Sequence, residues 1–160
     1  MRRFLLALPA LLLVLGCEAS LADREKEARA ALDARDFAKA RELSEAALAS
    51  SAAGGDAPTS WRLEQIRVEA LANDKQSGEV VLTLERLSNA YPTQVTPGLY
   101  RSLAAKLKAA GDKSGAIDVL AEGHEKYPQE DEAFIADIDA LKKESLDPAQ
   151  VEKLKALGYL

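Results

Sequence analysis

Two side chains with distinctive chemistry occur once each in this 160-residue chain, Cys17 and His124. A cysteine offers a nucleophilic thiolate or a soft metal ligand, and a histidine offers a proton acceptor or an imidazole ligand. One of each falls short of a zinc site of the usual composition. A lone cysteine also leaves no intrachain disulfide framework. His124 falls on the Ile117 and Leu120 side of its helical segment, which points to a packed structural histidine. No serine sits in a nucleophile elbow, no glycine-rich phosphate loop is present, and no helix carries His-Glu-x-x-His. The run Glu130-Asp131-Glu132 reads as a helix N-terminus, where the dipole favours negative charge. Without inward-facing carboxylates on separate elements no general acid–base pair emerges, so the expected class is a non-enzyme.

The setting of Cys17 gives the thiol a different role. Arg2 and Arg3 precede the apolar stretch from Phe4 to Leu15, which holds Pro9 in its middle. That stretch falls short of the ~18–20 residues that span a bilayer and lies within the roughly 7–15 residues of a signal-peptide core. Val14-Leu15-Gly16-Cys17 follows directly. This arrangement resembles the lipobox of bacterial lipoproteins. The resemblance implies a diacylglycerol thioether on Cys17, cleavage before it, and an acylated new amine; no other cofactor is expected. Gly16 supplies the small residue that the peptidase requires, and Val14 stands where leucine is commoner. One acyl chain anchors only marginally, so stable tethering takes two or more. In the family an aspartate after the cysteine favours the inner membrane; Glu18 there points to the outer membrane, facing the periplasm. Ser20-Leu21-Ala22 is a rival small-x-small cleavage site. Cutting there discards Cys17 and frees an exported protein that begins at Asp23.

Composition narrows the partners. Without Arg2 and Arg3 the chain keeps 19 of its 21 basic residues against 26 acidic ones, about −7. With no basic block it is a poor match for nucleic acid or anionic headgroups. Aromatics are only 5%, and alanine and leucine dominate the apolar positions, as suits closely packed helices.

The periodicity predicts three helical hairpins: Leu21 to Ser50 turning at Arg35-Asp36, Ser60 to Tyr91 turning between Asn73 and Gly78, and Pro97 to Tyr127 turning at Gly111-Asp112. Helices are also predicted over Glu130 to Glu144 and Pro148 to Leu157. Thr96-Pro97 reads as an N-cap with proline at the first helical position, and Asp147-Pro148-Ala149-Gln150 adds a capping-box glutamine. Gly123 sits mid-helix at a cost of about 1 kcal/mol relative to alanine, which close approach of the next helix would explain.

Tyr91-Pro92 and Tyr127-Pro128 recur at 127 − 91 = 36 residues, near the ~34-residue tetratricopeptide period. The third hairpin reads Leu99-Tyr100-Arg101-Ser102-Leu103-Ala104, then Ala110-Gly111-Asp112, then Ala116-Ile117. The first offers Ala34-Arg35-Asp36-Phe37-Ala38-Lys39-Ala40 and Ala46-Ala47-Leu48, with Arg35 in place of the turn glycine. These runs resemble tetratricopeptide repeats. The middle hairpin departs most: Arg67 stands where leucine is expected, Val80 replaces the small alanine, and its turn is expected to be long. The fold class implied is an all-α, right-handed solenoid of about three such hairpins. It divides into a signal peptide (1–16), a lipidated tether (17–20), repeats (21–128) and C-terminal capping helices (129–160). Val151, Leu154 and Leu157 would dock the last helix, and the Gly158-Tyr159-Leu160 tail could fold back onto the last groove.

In that family the first helix of each hairpin lines the partner groove. Arg62, Gln65, Glu69 and Asn73 share one helix face by their spacing. By the resemblance Arg101 and Lys108 join them, with Arg29 as a further contributor; the same polar stripe also fits a plain solvated surface. Trp61 reads as a packed helix aromatic rather than an anchor. The function expected is a membrane-anchored protein–protein interaction scaffold of the bacterial envelope, binding envelope proteins and no small-molecule substrate. The alternative is a freely exported or self-associating spacer whose groove is filled by its own tail.

Overall fold

Among the described residues, five helices begin at a side chain that holds a free N–H of the first turn. Ser20 accepts from the Asp23 N–H at 3.2 Å, Asp36 from Lys39 at 3.2 Å, Asp56 from Thr59 at 3.1 Å, Asp112 from Gly115 at 2.8 Å and Asp147 from Gln150 at 2.9 Å. Gln150 returns the bond to the Asp147 N–H, which completes the expected capping box. Thr96 occupies an N-cap position, but its hydroxyl makes no capping bond.

The computed structural model describes residues 20–51, 56–144 and 146–160. The fold is all-α: among these residues are eight α-helices and one 3-10 turn, and no strands. The helices are α1 (Leu21–Asp33), α2 (Phe37–Ser51), α3 (Ala57–Asn73), α4 (Ser77–Ala90), α5 (Pro97–Ala110), α6 (Lys113–Lys126), α7 (Asp131–Lys142) and α8 (Pro148–Ala156), with the 3-10 turn at Pro128–Glu130. The expected signal segment and Cys17 lie outside the described residues.

Several boundaries differ from expectation, among them the end of the helix expected to reach Glu144, which stops at Lys142. The second hairpin starts at Ala57 rather than Ser60, because Asp56 caps it and Pro58 fits the first turn. The helix expected from Glu130 starts at Asp131, after the 3-10 turn. The last helix ends at Ala156, which leaves Leu157 beyond the docked face and 44% exposed.

Helices α1, α3 and α5 end in one and the same way. Arg35, Lys75 and Gly111 have φ of 61°, 60° and 92°, each two residues before the next helix. The following N–H reaches back across the turn, from Asp36 to the Ala31 carbonyl at 2.9 Å, Gln76 to Leu71 at 2.9 Å and Asp112 to Leu107 at 2.8 Å. Left-handed backbone costs a non-glycine residue roughly 1–2 kcal/mol, which Gly111 avoids and Arg35 and Lys75 do not. The middle turn, expected to be long, covers residues 74–76 and matches residues 34–36 in length.

Packing follows from these turns. Helices α1, α3 and α5 lie side by side in one row, α2 packs on α1 and α3, and α4 packs on α6. Both α7 and α8 rest on α6. One core unites the first hairpin with Leu63, Ile66 and Ala70 of α3; a second runs from Val68, Leu71 and Ala72 of the same helix through to Leu154. The alanines expected at close crossings, Ala40, Ala47, Ala104 and Ala116, are all buried. Fully burying a leucine such as Leu84, Leu103 or Leu107 contributes about 1.5–3 kcal/mol. Gly123 marks a close crossing in the second core. A Cβ there would stand 2.5 Å from Phe134 on α7 and 3.0 Å from Tyr100 on α5, which gives the mid-helix glycine its reason.

Candidate functional site

The residues singled out for a partner groove lie along the α1–α3–α5 row, and most of them already hold a neighbour. Arg62 Nε donates to Glu25 of α1 at 2.8 Å, and its Nη2 donates to the Thr59 hydroxyl at 2.8 Å. Glu69 faces Arg29 of α1 at 3.9 Å and Lys106 of α5 at 3.4 Å. Arg101 forks onto both oxygens of Asp137 on α7, at 2.5 and 3.2 Å. Lys108 and Lys113 both reach Glu144, at 2.6 and 3.0 Å. Asn73 spends its amide on the Glu69 carbonyl one turn earlier, at 2.8 Å. Gln65 is half-buried on the same helix.

The consequence is a ladder of ion pairs that ties each first helix to the next. Hydrogen bonds to Glu25, Asp137 and Lys108 are the leading causes that raise the Arg62 and Arg101 pKa values and hold Glu144 below its ordinary 4.5. Solvent screens such exposed pairs, so they brace more than they stabilise. Two hollows open beside the ladder. One, of about 120 Å³, lies among Arg101, Ala104, Lys108, Leu120, Asp137 and Leu141. The other lies among Arg29, Leu32, Phe37, Glu69, Asn73 and Lys106.

A second charged group explains the irregular middle hairpin. Glu64 is 5% exposed, and both of its oxygens take bonds from Arg86 of α4, at 2.8 and 2.6 Å. Arg67 stands 3.8 Å from Glu64 and donates to Glu45 of α2 at 3.0 Å. Arginine therefore replaces the expected leucine because it joins α2, α3 and α4 through charge. Trp61 is half-buried with its ring 5.3 Å from Tyr91, where it packs rather than projects.

The third group was missed as a group by sequence reasoning. His124 Nδ1 lies 2.6 Å from the Tyr159 hydroxyl, and its Nε2 contacts Asp131. An ionised carboxylate only accepts, so in the neutral ring Nε2 donates to Asp131 and Nδ1 accepts from Tyr159. Burial, with a smaller contribution from Asp131, raises the Tyr159 pKa and keeps the phenol a donor. Lys142 Nζ donates to the Tyr159 carbonyl at 2.8 Å. The tail does fold back, but it is fastened to α6 and α7 and lines neither hollow beside the ladder. Beside it a cleft of about 680 Å³ separates α4 from α6 and the tail, lined by Gly78, Val81, Leu82, Ala121, Leu157 and Tyr159 among others. One sequence signal for this cleft existed. Val80-Val81-Leu82 is three consecutive apolar residues, and a helix cannot turn all three to one core.

Compared with protein families, with curated proteins and with solved structures, the chain shows no match.

Proposed function

We propose that this protein is a non-enzymatic protein–protein interaction scaffold, tethered by lipid on Cys17 to the bacterial envelope. The fold is read as a short right-handed solenoid of tetratricopeptide-like hairpins. The observation that carries this reading is the recurrence of one turn, at Arg35, Lys75 and Gly111, which stacks α1, α3 and α5 in a row. Hairpins stacked in that way expose long surfaces to other chains. The tether rests on Val14-Leu15-Gly16-Cys17 behind its basic and apolar leader. The site of action is then the outer membrane, facing the periplasm, and the partners are envelope proteins. The intact mass of membrane-extracted protein tests the tether. Acyl chains on Cys17 are expected; an unlipidated chain that begins at Asp23 would make it a freely exported protein. Crosslinking from the same fraction tests the scaffold, and recovery of no specific envelope protein would refute it.

A further inference from the structure

On that scaffold reading, we infer that the partner surface is the cleft between α4, α6 and the C-terminal tail, and that it takes a cationic amphipathic segment of another protein. The first ground is exposed apolar surface. Leu82 is 60% exposed and Leu157 44%, and both line the cleft. Val81, Ala121 and Tyr159 continue the floor between them. Contiguous apolar surface of this kind marks interaction sites, whereas scattered single leucines do not.

The second ground is charge. Asp118, Glu122 and Glu125 stand on the cleft wall, and no lysine or arginine lines it. Asp118 is held by Lys153 of α8 at 2.7 Å. Glu122 and Glu125 make no ion pair among the described residues. Glu85, three residues beyond Leu82 on the same helix stripe, is exposed and likewise unpaired among those residues. The α1–α3–α5 row shows the opposite pattern, with each named charge matched by a neighbour. An apolar floor beside an acidic wall whose Glu122 and Glu125 lack an ion pair among the described residues fits apolar side chains flanked by lysine or arginine.

The same charge argues against two other occupants. Carboxylates at the wall repel an anionic bilayer surface. A two-fold contact between two copies of the cleft would set those carboxylates against each other. The tail latch fits the role: His124, Asp131 and Lys142 hold Tyr159 in place, so the far wall of the cleft is fixed before a partner arrives.

The test uses the full chain and a short fluorescein-labelled peptide with leucines three and four residues apart and lysines elsewhere. A second peptide has glutamate in place of lysine. Fluorescence anisotropy is expected to show binding of the lysine peptide only, weakened by salt. Leu82→Glu and the double variant Glu122→Lys/Glu125→Lys should each weaken it about 10-fold or more, and Glu42→Lys on α2 by less than about 2-fold. Leu82, Glu125 and Glu42 are exposed and Glu122 is half-buried without an ion pair among the described residues, and circular dichroism of each variant checks that folding is retained. Equal binding of both peptides, or no effect of Leu82→Glu, would overturn the assignment. So would loss of binding in Arg62→Ala alone, which would return the partner to the α1–α3–α5 row. A dimer in sedimentation that Leu82→Glu dissociates would give the cleft to a second copy instead. Partners recovered by crosslinking together with a peptide result blind to Leu82 would leave the scaffold standing and remove only this surface.

Discussion

The α1–α3–α5 row and the α4–α6–tail cleft are both solvent-facing, and they treat their charges in opposite ways. On the row, Arg62, Glu69, Arg101 and Lys108 each find an opposite charge on a neighbouring element. In the cleft, Glu122 and Glu125 find none among the described residues, and leucines stay wet beside them. Groups selected only for folding gain from being paired. A surface left unpaired and apolar forgoes that gain, and binding is the ordinary reason for doing so. A polar stripe on a repeat helix is therefore weak support for a groove until its partners are known.

The largest expected effect probes the crossing that both regions share. Helix α6 forms one wall of the cleft and carries Gly123 against α5 and α7. Gly123→Ala should destabilise by about 2–3 kcal/mol in chemical denaturation, although alanine is the better helix former, because overpacking outweighs propensity. A neutral result would show that the Phe134 ring yields freely.

Next comes the buried counterpart of the ladder. Glu64 is nearly inaccessible, and Arg86 supplies its two short bonds. Arg86→Ala leaves that carboxylate with Arg67 alone and should cost about 2–3 kcal/mol. By contrast a double-mutant cycle on Arg62 and Glu25, both partly exposed, should return a much smaller coupling, because solvent screens the pair. Similar values for the two would blur the line between structural charge and surface bracing.

The comparison predicts a difference of sign for single charge reversals. Arg62→Glu sets a carboxylate against Glu25 and should lower the unfolding temperature. Glu122→Lys removes an unpaired negative charge from an acidic wall and should raise stability by a few tenths, on the order of 0.3 kcal/mol. Thermal denaturation of both variants checks this, and a loss in both would mean that the cleft is compensated after all.

The smallest effect is acid sensitivity of the row. Lys108 and then Lys113 hold the Glu144 carboxyl below its ordinary value of 4.5. A lowered folded value means that this contribution is full above 4.5 and fades as pH falls through the folded value. Lys108→Ala should flatten that part of the pH–stability curve, and an unchanged curve would remove Glu144 from the ladder.

Much of the helical frame was legible from local signals. Proline at helix starts, Asp147 with Gln150, and apolar spacing fixed helix existence, because each acts within one or two turns. Gly123 was legible too, since a glycine in mid-helix needs a neighbour to justify it. The site was read less well. Spacing placed Arg62, Gln65, Glu69 and Asn73 on one face but was silent on what stands opposite. Glu25, Asp137 and Glu144 come from other helices, at separations no local pattern encodes. The Tyr159–His124–Asp131 cluster joins the tail, α6 and α7 for the same reason beyond local reach. Leu157 was misplaced because α8 stops one residue short of it.

The most direct test maps where a cationic amphipathic peptide lands on the full chain, by amide chemical-shift changes. The account predicts changes gathered at Gly78, Val81, Leu82, Ala121 and Leu157, with Arg62, Glu69 and Arg101 undisturbed. Changes gathered along Arg62, Glu69 and Arg101 with a silent cleft would contradict it.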